Sequence, residues 1–315
     1  MFILMVLSAM CPVVFIISLL FEGIDRKLHA RMQKRIGPPI IQPFYDFVKL
    51  FGKESLIPVT AASGINIASP ILAAASSIIA AGIPLASFAT TAGAIGDLIL
   101  ILFLLAASSI MIMVGGSSSG NPFAAIGFAR KMTMMVSYEV PLFISVVSLA
   151  IKSGFSLAYN DIIQFQIQLG SCFAFAFPSA AIAMITFLTC IPAAAGVVPF
   201  DIPEAKTEVA HGLLIEYGGP YLALLKLAKS ATNFALTFLA FTLFFYLPAI
   251  FKGNSSLGYW AILALCVAGA LVIMFLTITV PRTIFARLKI GQAFKFNLVL
   301  LPLSILSLVL SIVGM

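Results

Sequence analysis

Asp201, Glu204, Glu208 and Glu216 fall in one stretch, PFDIPEAKTEVAHGLLIEYGG from Pro199 to Gly219, in a chain with only 11 Asp and Glu residues. Apolar runs flank it on both sides, Phe173 to Val198 and Tyr221 to Ile250, so this acidic island must sit at or just inside the ends of two membrane segments. Pro199 and Pro203 each pre-set a turn. Glu204 and Glu208 are spaced i, i+4 and share one face of any helix formed here, with Glu216 two turns farther along that face. Carboxylates this close repel one another when all are ionised, and a chain of them is a proton path in outline. The same acids also suit a docking loop neutralised by Lys206 and a basic neighbour, and the two roles are compatible.

A fifth acid stands apart. Glu139, in VSYEVPLF, lies about two turns inside an apolar run. A carboxylate at membrane depth costs about 2.5–3.5 kcal/mol on insertion scales. It is kept where a partner, a water-filled cavity or protonation compensates, which is what a proton relay requires. Pro141 frees a backbone carbonyl and could open the helix to water or a partner. The structural alternative is a snorkelling Glu satisfied by Tyr138 or a lysine.

Membrane spans must position these groups. The sequence is 62% apolar and 9% charged, with a mean hydropathy of +1.15, against about 25% charged residues in a soluble domain. The pattern predicts an all-α polytopic membrane protein, 1–315, as a single transmembrane domain with a retained first helix. Eight spans are expected: Met1 to Phe21, Ile67 to Thr90, Leu98 to Val114, Met132 to Ile151, Phe173 to Val198, Tyr221 to Ile250, Tyr259 to Val280 and Phe296 to Val313. Most of the 18 Lys and Arg residues fall in the connections after the odd-numbered spans, whereas the other connections offer Lys152 and Lys252. The positive-inside rule then places the odd connections in the cytoplasm and both termini outside. The net charge of +7 is mostly topological, and nucleic acid is not an expected partner.

The first connection, Glu22 to Ile65, is the longest. In EGIDRKLHARMQKRIGPP, basic residues alternate at helical spacing with Ile24, Leu28, Met32 and Ile36, which predicts an amphipathic helix lying on the bilayer surface. Gly37, Pro38 and Pro39 end it. A second amphipathic piece, QPFYDFVKLFGKES, sets Phe44, Phe47, Val48 and Phe51 against Asp46, Lys49, Lys53 and Glu54. The stretch GGSSSGNPFAAIGFARK reads as a flexible joint before Arg130 and Lys131, and it lacks the phosphate-loop spacing. Cys11, Cys172, Cys190 and Cys266 lie far apart in apolar runs, as buried small side chains do. With His29 and His211 they form no metal-binding pattern, so no metal site is expected in this chain. Asp97 is placed to cap the third span and Asp161 lies in an exterior loop.

Five stretches together carry a resemblance: DRKLHARMQKRIGPP, QPFYDFVKLFGKES, LAASSIMIMVGGSSSGNPFAAIGFAR, VSYEV and PFDIPEAKTEVAHGLLIEYGG. In order and across nearly the whole length, the chain resembles the quinone-module membrane subunit of respiratory complex I, NADH-quinone oxidoreductase chain 1. It is similar too to the counterpart subunit of energy-converting membrane-bound nickel-iron hydrogenases. Two departures from the respiratory pattern favour the hydrogenase type. The segment after Gly37-Pro38 is short, and Ala194 and Val197 stand where that pattern has a Glu and an Arg before PFD.

The resemblance implies a non-catalytic membrane-arm subunit of a redox-driven, ion-translocating complex, in the cell membrane. It would anchor a peripheral hydrogenase-like or quinone-module arm and adjoin antiporter-like membrane subunits. Iron-sulfur clusters and a nickel-iron centre would belong to those partners, with no cofactor bound by this chain. Glu139, Asp201, Glu204, Glu208 and Glu216 would carry the proton or sodium path. Asp25, Arg26, Arg31, Arg35, Asp46, Lys49 and Glu54 would shape the cavity entrance and docking surface. The related alternatives are a quinone-binding respiratory subunit and a sulfur-reducing membrane complex. From another class comes a stand-alone secondary transporter, whose broken-helix repeats are not seen in the sequence.

Overall fold

A computed structural model describes residues 2–89, 96–246 and 256–314. The edges expected at Met1, Thr90 and Ile250, and the base Lys252, lie outside them. Eight helices long and apolar enough to cross a membrane are present among the described residues, and no strand is found there. They belong to α1 (Phe2–Met32), α3 (Ser63–Ala89), α4 (Leu98–Ser117), α5 (Pro122–Lys152), α8 (Pro178–Ala195), α10 (Gly219–Phe244), α11 (Ser256–Met274) with α12 (Val280–Ile284), and α13 (Ile290–Val313). Shorter helices are α2 (Gln42–Phe51), α6 (Tyr159–Leu169), α7 (Phe173–Ala176) and α9 (Lys206–Val209). The chain is a multi-pass membrane protein.

Helix α10 is the spine. Most of its side chains are buried, and it packs against α1, α3, α8 and α11, while α5 packs with α8 and α13. Outward faces remain apolar: Leu72, Phe103, Val272, Leu276, Val299 and Ile312 are all exposed. Water would penalise that surface, and lipid would not.

Several expected boundaries are corrected. The basic segment after Phe21 is no separate surface helix, because α1 runs unbroken to Met32. The first residue after it with a positive φ is Lys34, at 58°. Helix α5 begins at Pro122, ten residues before the expected Met132. Asn121 caps it by accepting from the Phe123 amide at 2.9 Å, with proline at the first turn where its missing N–H costs nothing. The glycine-rich stretch is therefore mostly helix rather than a flexible joint. The run from Phe173 is interrupted by extended Phe177 ahead of Pro178, as the residue before proline favours. Helix α10 ends at Phe244 and α13 begins at Ile290. A π-helical segment, Phe275–Thr279, separates α11 from α12. Asp97 occupies the N-cap position of α4, but its side chain makes no capping bond.

Candidate functional site

The six ion pairs among the described residues all lie at one end of the bundle. On α1, Glu22, Asp25 and Arg26 share a face through i, i+3 and i, i+4 spacing. Arg26 pairs with Glu22 and donates to Asp46 of α2 at 2.8 Å. Gln42 donates to the other Asp46 oxygen at 3.1 Å. Burial works against the ionised Asp46, but the bonds from Arg26 and Gln42 outweigh it and hold its carboxyl below the usual carboxylate range. Phe44 and Phe47 seat α2 on Phe15 of α1, while Val48 and Phe51 of the expected apolar face stay exposed. Asp25 is buried and accepts from Thr279 at 2.7 Å and Arg282 at 3.0 Å.

The island faces this wall after α8 ends on left-handed Gly196. Asp201 accepts from Arg287 at 3.0 Å, and Glu204 pairs with Lys229 of α10. Burial, then the neighbouring Glu204 carboxylate, raise the Asp201 carboxyl above its ordinary value, against the pull of Lys229 and Arg287. Exposed Glu208 pairs with Arg130 at 2.6 Å, and Glu216 accepts from Asn121 at 2.6 Å. The expected single acidic face is thus corrected. Helix α9 is one turn long, and Ala210, His211 and Gly212 follow it at φ 46°, 77° and 52°.

The reason is close packing rather than propensity. A Cβ at Gly116 of α4 would stand 2.9 Å from the Leu213 carbonyl oxygen, and one at Gly127 of α5 would stand 3.1 Å from the Leu213 nitrogen. Only bare backbone on both helices admits the island chain so deeply. Tyr217 fastens it, its hydroxyl donating to the Asn66 carbonyl at 3.3 Å and lying 3.2 Å from the Ser69 hydroxyl.

Between island and wall lies a cavity of about 280 Å³. Acids Glu22, Asp25 and Asp201 and bases Arg26, Lys226, Lys229 and Arg282 line it. Asn233 also lines it, and its buried Oδ1 has no protein partner. A space this polar and this large holds water. Glu139 lies deeper in α5, half-buried, in a separate pocket of about 30 Å³ with Ser109, Tyr138, Ala194 and Thr232. It makes no ion pair or hydrogen bond among the described residues. Helix α5 continues through buried Pro141 instead of opening there.

Of the expected entrance residues, Asp25, Arg26 and Asp46 come together with the wall. Arg31, Arg35, Lys49 and Glu54 are exposed and do not line the cavity. Glu22, Arg130, Lys226, Lys229, Arg282, Arg287 and buried Lys131 are the charged residues that sequence reasoning misses as members of the site. The i, i+4 pairing of Glu22 with Arg26 is the one local signal among them. No cluster of three or more potential metal ligands occurs among the described residues.

The family model described as NADH dehydrogenase matches residues 4–312. An NADH-quinone oxidoreductase subunit of Geobacillus thermodenitrificans (strain NG80-2) is 32% identical over 304 residues, which cover 92% of this chain and 87% of that protein. Hydrogenase-4 component C of Escherichia coli (strain K12) is 30% identical over 248 residues, 75% of this chain and 76% of that one. A solved chain of an archaeal respiratory membrane complex, the membrane-bound sulfane sulfur reductase, superposes with a TM-score of 0.88 at 29% identity. The match covers 99% of this chain and all of that one.

Proposed function

The chain belongs to the NADH dehydrogenase family, and on that premise we propose that it seats a peripheral redox arm and forms the first part of an ion path driven by that arm. The relatives' names span quinone, hydrogenase and sulfane sulfur complexes. Their common element is a membrane subunit, not a shared substrate.

One observation carries the proposal: a charged cavity with room for several waters at one end of an apolar bundle, with Glu139 in a second pocket farther inside. Charges held this way cost folding energy and are retained where ions must move. Seven charged side chains around the cavity suit water and protons better than an isoprenoid tail. That polarity favours a quinone-independent type, hydrogenase or sulfur reductase, over a quinone site. The charged end would face the cytoplasm, with both termini outside. The partner arm would supply iron-sulfur clusters, with a nickel-iron centre in the hydrogenase case, and antiporter-like membrane subunits would continue the path. Asp201, Glu204 and Glu139 lie along the proposed route, whereas Glu208 and Glu216 tie the island to α5.

The test is Glu139→Gln in the intact complex reconstituted in vesicles. Ion translocation should be lost while the complex assembles with its iron-sulfur partners and electron transfer persists. Normal translocation by this variant would overturn the proposal.

A further inference from the structure

The third turn of α5 places Lys131 inward. Its neighbours Met132 and Thr133 are exposed, yet Lys131 is 8% exposed. Its ammonium makes no ion pair among the described residues. Burying a charge without a direct partner is costly, and a lysine rotated outward by one position would have avoided that cost.

Its place accounts for it. The Lys131 Nζ lies 3.6 Å from where a Cβ on Gly196 would stand. Gly196 also lines the large cavity beside Asp201 and Lys229. Two residues earlier, Ala194 lines the pocket that holds Glu139. Lys131 lines neither space, but its ammonium packs beside Gly196, on the short segment that runs from the wall of one to the wall of the other. The charges that act on it are Lys229 from α10, Glu204 and Asp201 from the island, and Glu139 from its own helix. In return, Lys131 is the charged group whose field reaches Glu139. From α13, Asn297 donates to Ser137 of α5 at 3.0 Å, while Lys295 of that helix and Lys289 at its N-cap position are exposed.

We propose that Lys131 is a proton-carrying residue joining the cavity at Asp201 and Glu204 to Glu139. The inference rests on the coupling role proposed above and deepens it. In the forward step an N–H bond of the Lys131 ammonium breaks and an O–H bond forms on the Glu139 carboxylate, the proton crossing between them through intervening water. The neutral amine then takes a proton from the carboxylic acid form of Asp201, or from hydronium in the cavity. One proton has moved inward, no electrons have moved, and the ammonium is restored.

The experiment uses the intact complex in vesicles, carrying Lys131→Met, Lys131→Arg or Lys131→His, with electron transfer by the partner arm measured in parallel. Proton movement is read with a pH-sensitive dye. Methionine removes the titrating group, arginine keeps the charge but does not release its proton, and histidine titrates at lower pH. Proton translocation should fall about tenfold or more in the Met and Arg variants, with electron transfer retained. The His variant should recover part of it with a pH profile displaced downward. Normal pumping by Lys131→Arg would reduce the residue to an electrostatic role and overturn the proposal. Should the Met variant fail to assemble, the Arg and His variants decide. Loss of pumping in Glu139→Gln with normal pumping in every Lys131 variant would refute this inference alone, while normal pumping in Glu139→Gln would refute the coupling role beneath it.

Discussion

Asp25 and Arg282, 257 positions apart in the chain, meet at 3.0 Å beside the cavity. The second oxygen of Asp25 accepts from Thr279, the last residue of the π-helical segment. One carboxylate thus ties the first span to the irregular end of the seventh.

Replacing that carboxylate should loosen the tie. Asp25→Asn removes the charge and leaves Arg282 facing a neutral amide. Breaking a hydrogen bond to a charged group costs about 1.5–3 kcal/mol, and partial exposure of Arg282 favours the lower part of that range. Thermal unfolding of the purified protein in detergent checks it, and an unchanged transition would show that the pair contributes nothing.

Asp201 gives a pH signature of definite sign. Its carboxyl is held above the ordinary value by burial and then by Glu204, so the folded protein binds this proton more tightly than the unfolded chain. The contribution is present below the ordinary carboxylate value of about 3.9. It is lost as pH rises through the folded value. Asp46 has the opposite shift, and its contribution is lost as pH falls below that ordinary value. Asp201→Asn should therefore flatten the upper limb of a stability–pH curve and leave the acidic limb intact. An unchanged upper limb in that titration would contradict the assignment.

Gly212→Ala tests the seating of the island. Gly212 has φ 52°, and a Cβ there would come within 2.1 Å of the Pro203 carbonyl oxygen. Strain of this kind costs about 1–3 kcal/mol, and here the island must also shift. Stability and ion translocation should fall together. Gly291→Ala in α13 is the control, since nothing lies within 4 Å of its Cβ position. Equal behaviour of the two variants would mean that the island is not held by this contact.

The sequence is explicit about what repeats and silent about what meets. Eight apolar runs and the basic bias of alternate connections follow from composition, so the number of spans is legible without coordinates. Boundaries are less so, because α1 and α5 carry their helices through charged or glycine-containing turns that hydropathy treats as loop. Glu139 stands out as an acid in an apolar run. Lys131 does not, since a lysine beside Arg130 at the end of a run looks like any anchoring base until the helix is seen to turn it inward. The acids of the island are legible by type, but the helical register expected for them is wrong. Contacts with Gly116 and Gly127, far away in the chain, override the i, i+4 pattern.

The C-terminal end of α10 bears on how the cavity can change shape. Gln166 of α6 donates to the carbonyls of Thr242 at 3.3 Å and Leu243 at 2.8 Å. At the other end, Lys226 and Lys229 line the cavity. A 26-residue helix is a rod of about 39 Å, and this one is pinned at its far tip. It cannot slide along its axis without tearing those bonds, so any movement that reaches the two lysines must come as a pivot. The hinge would then lie on the opposite side of the membrane from the charges it moves.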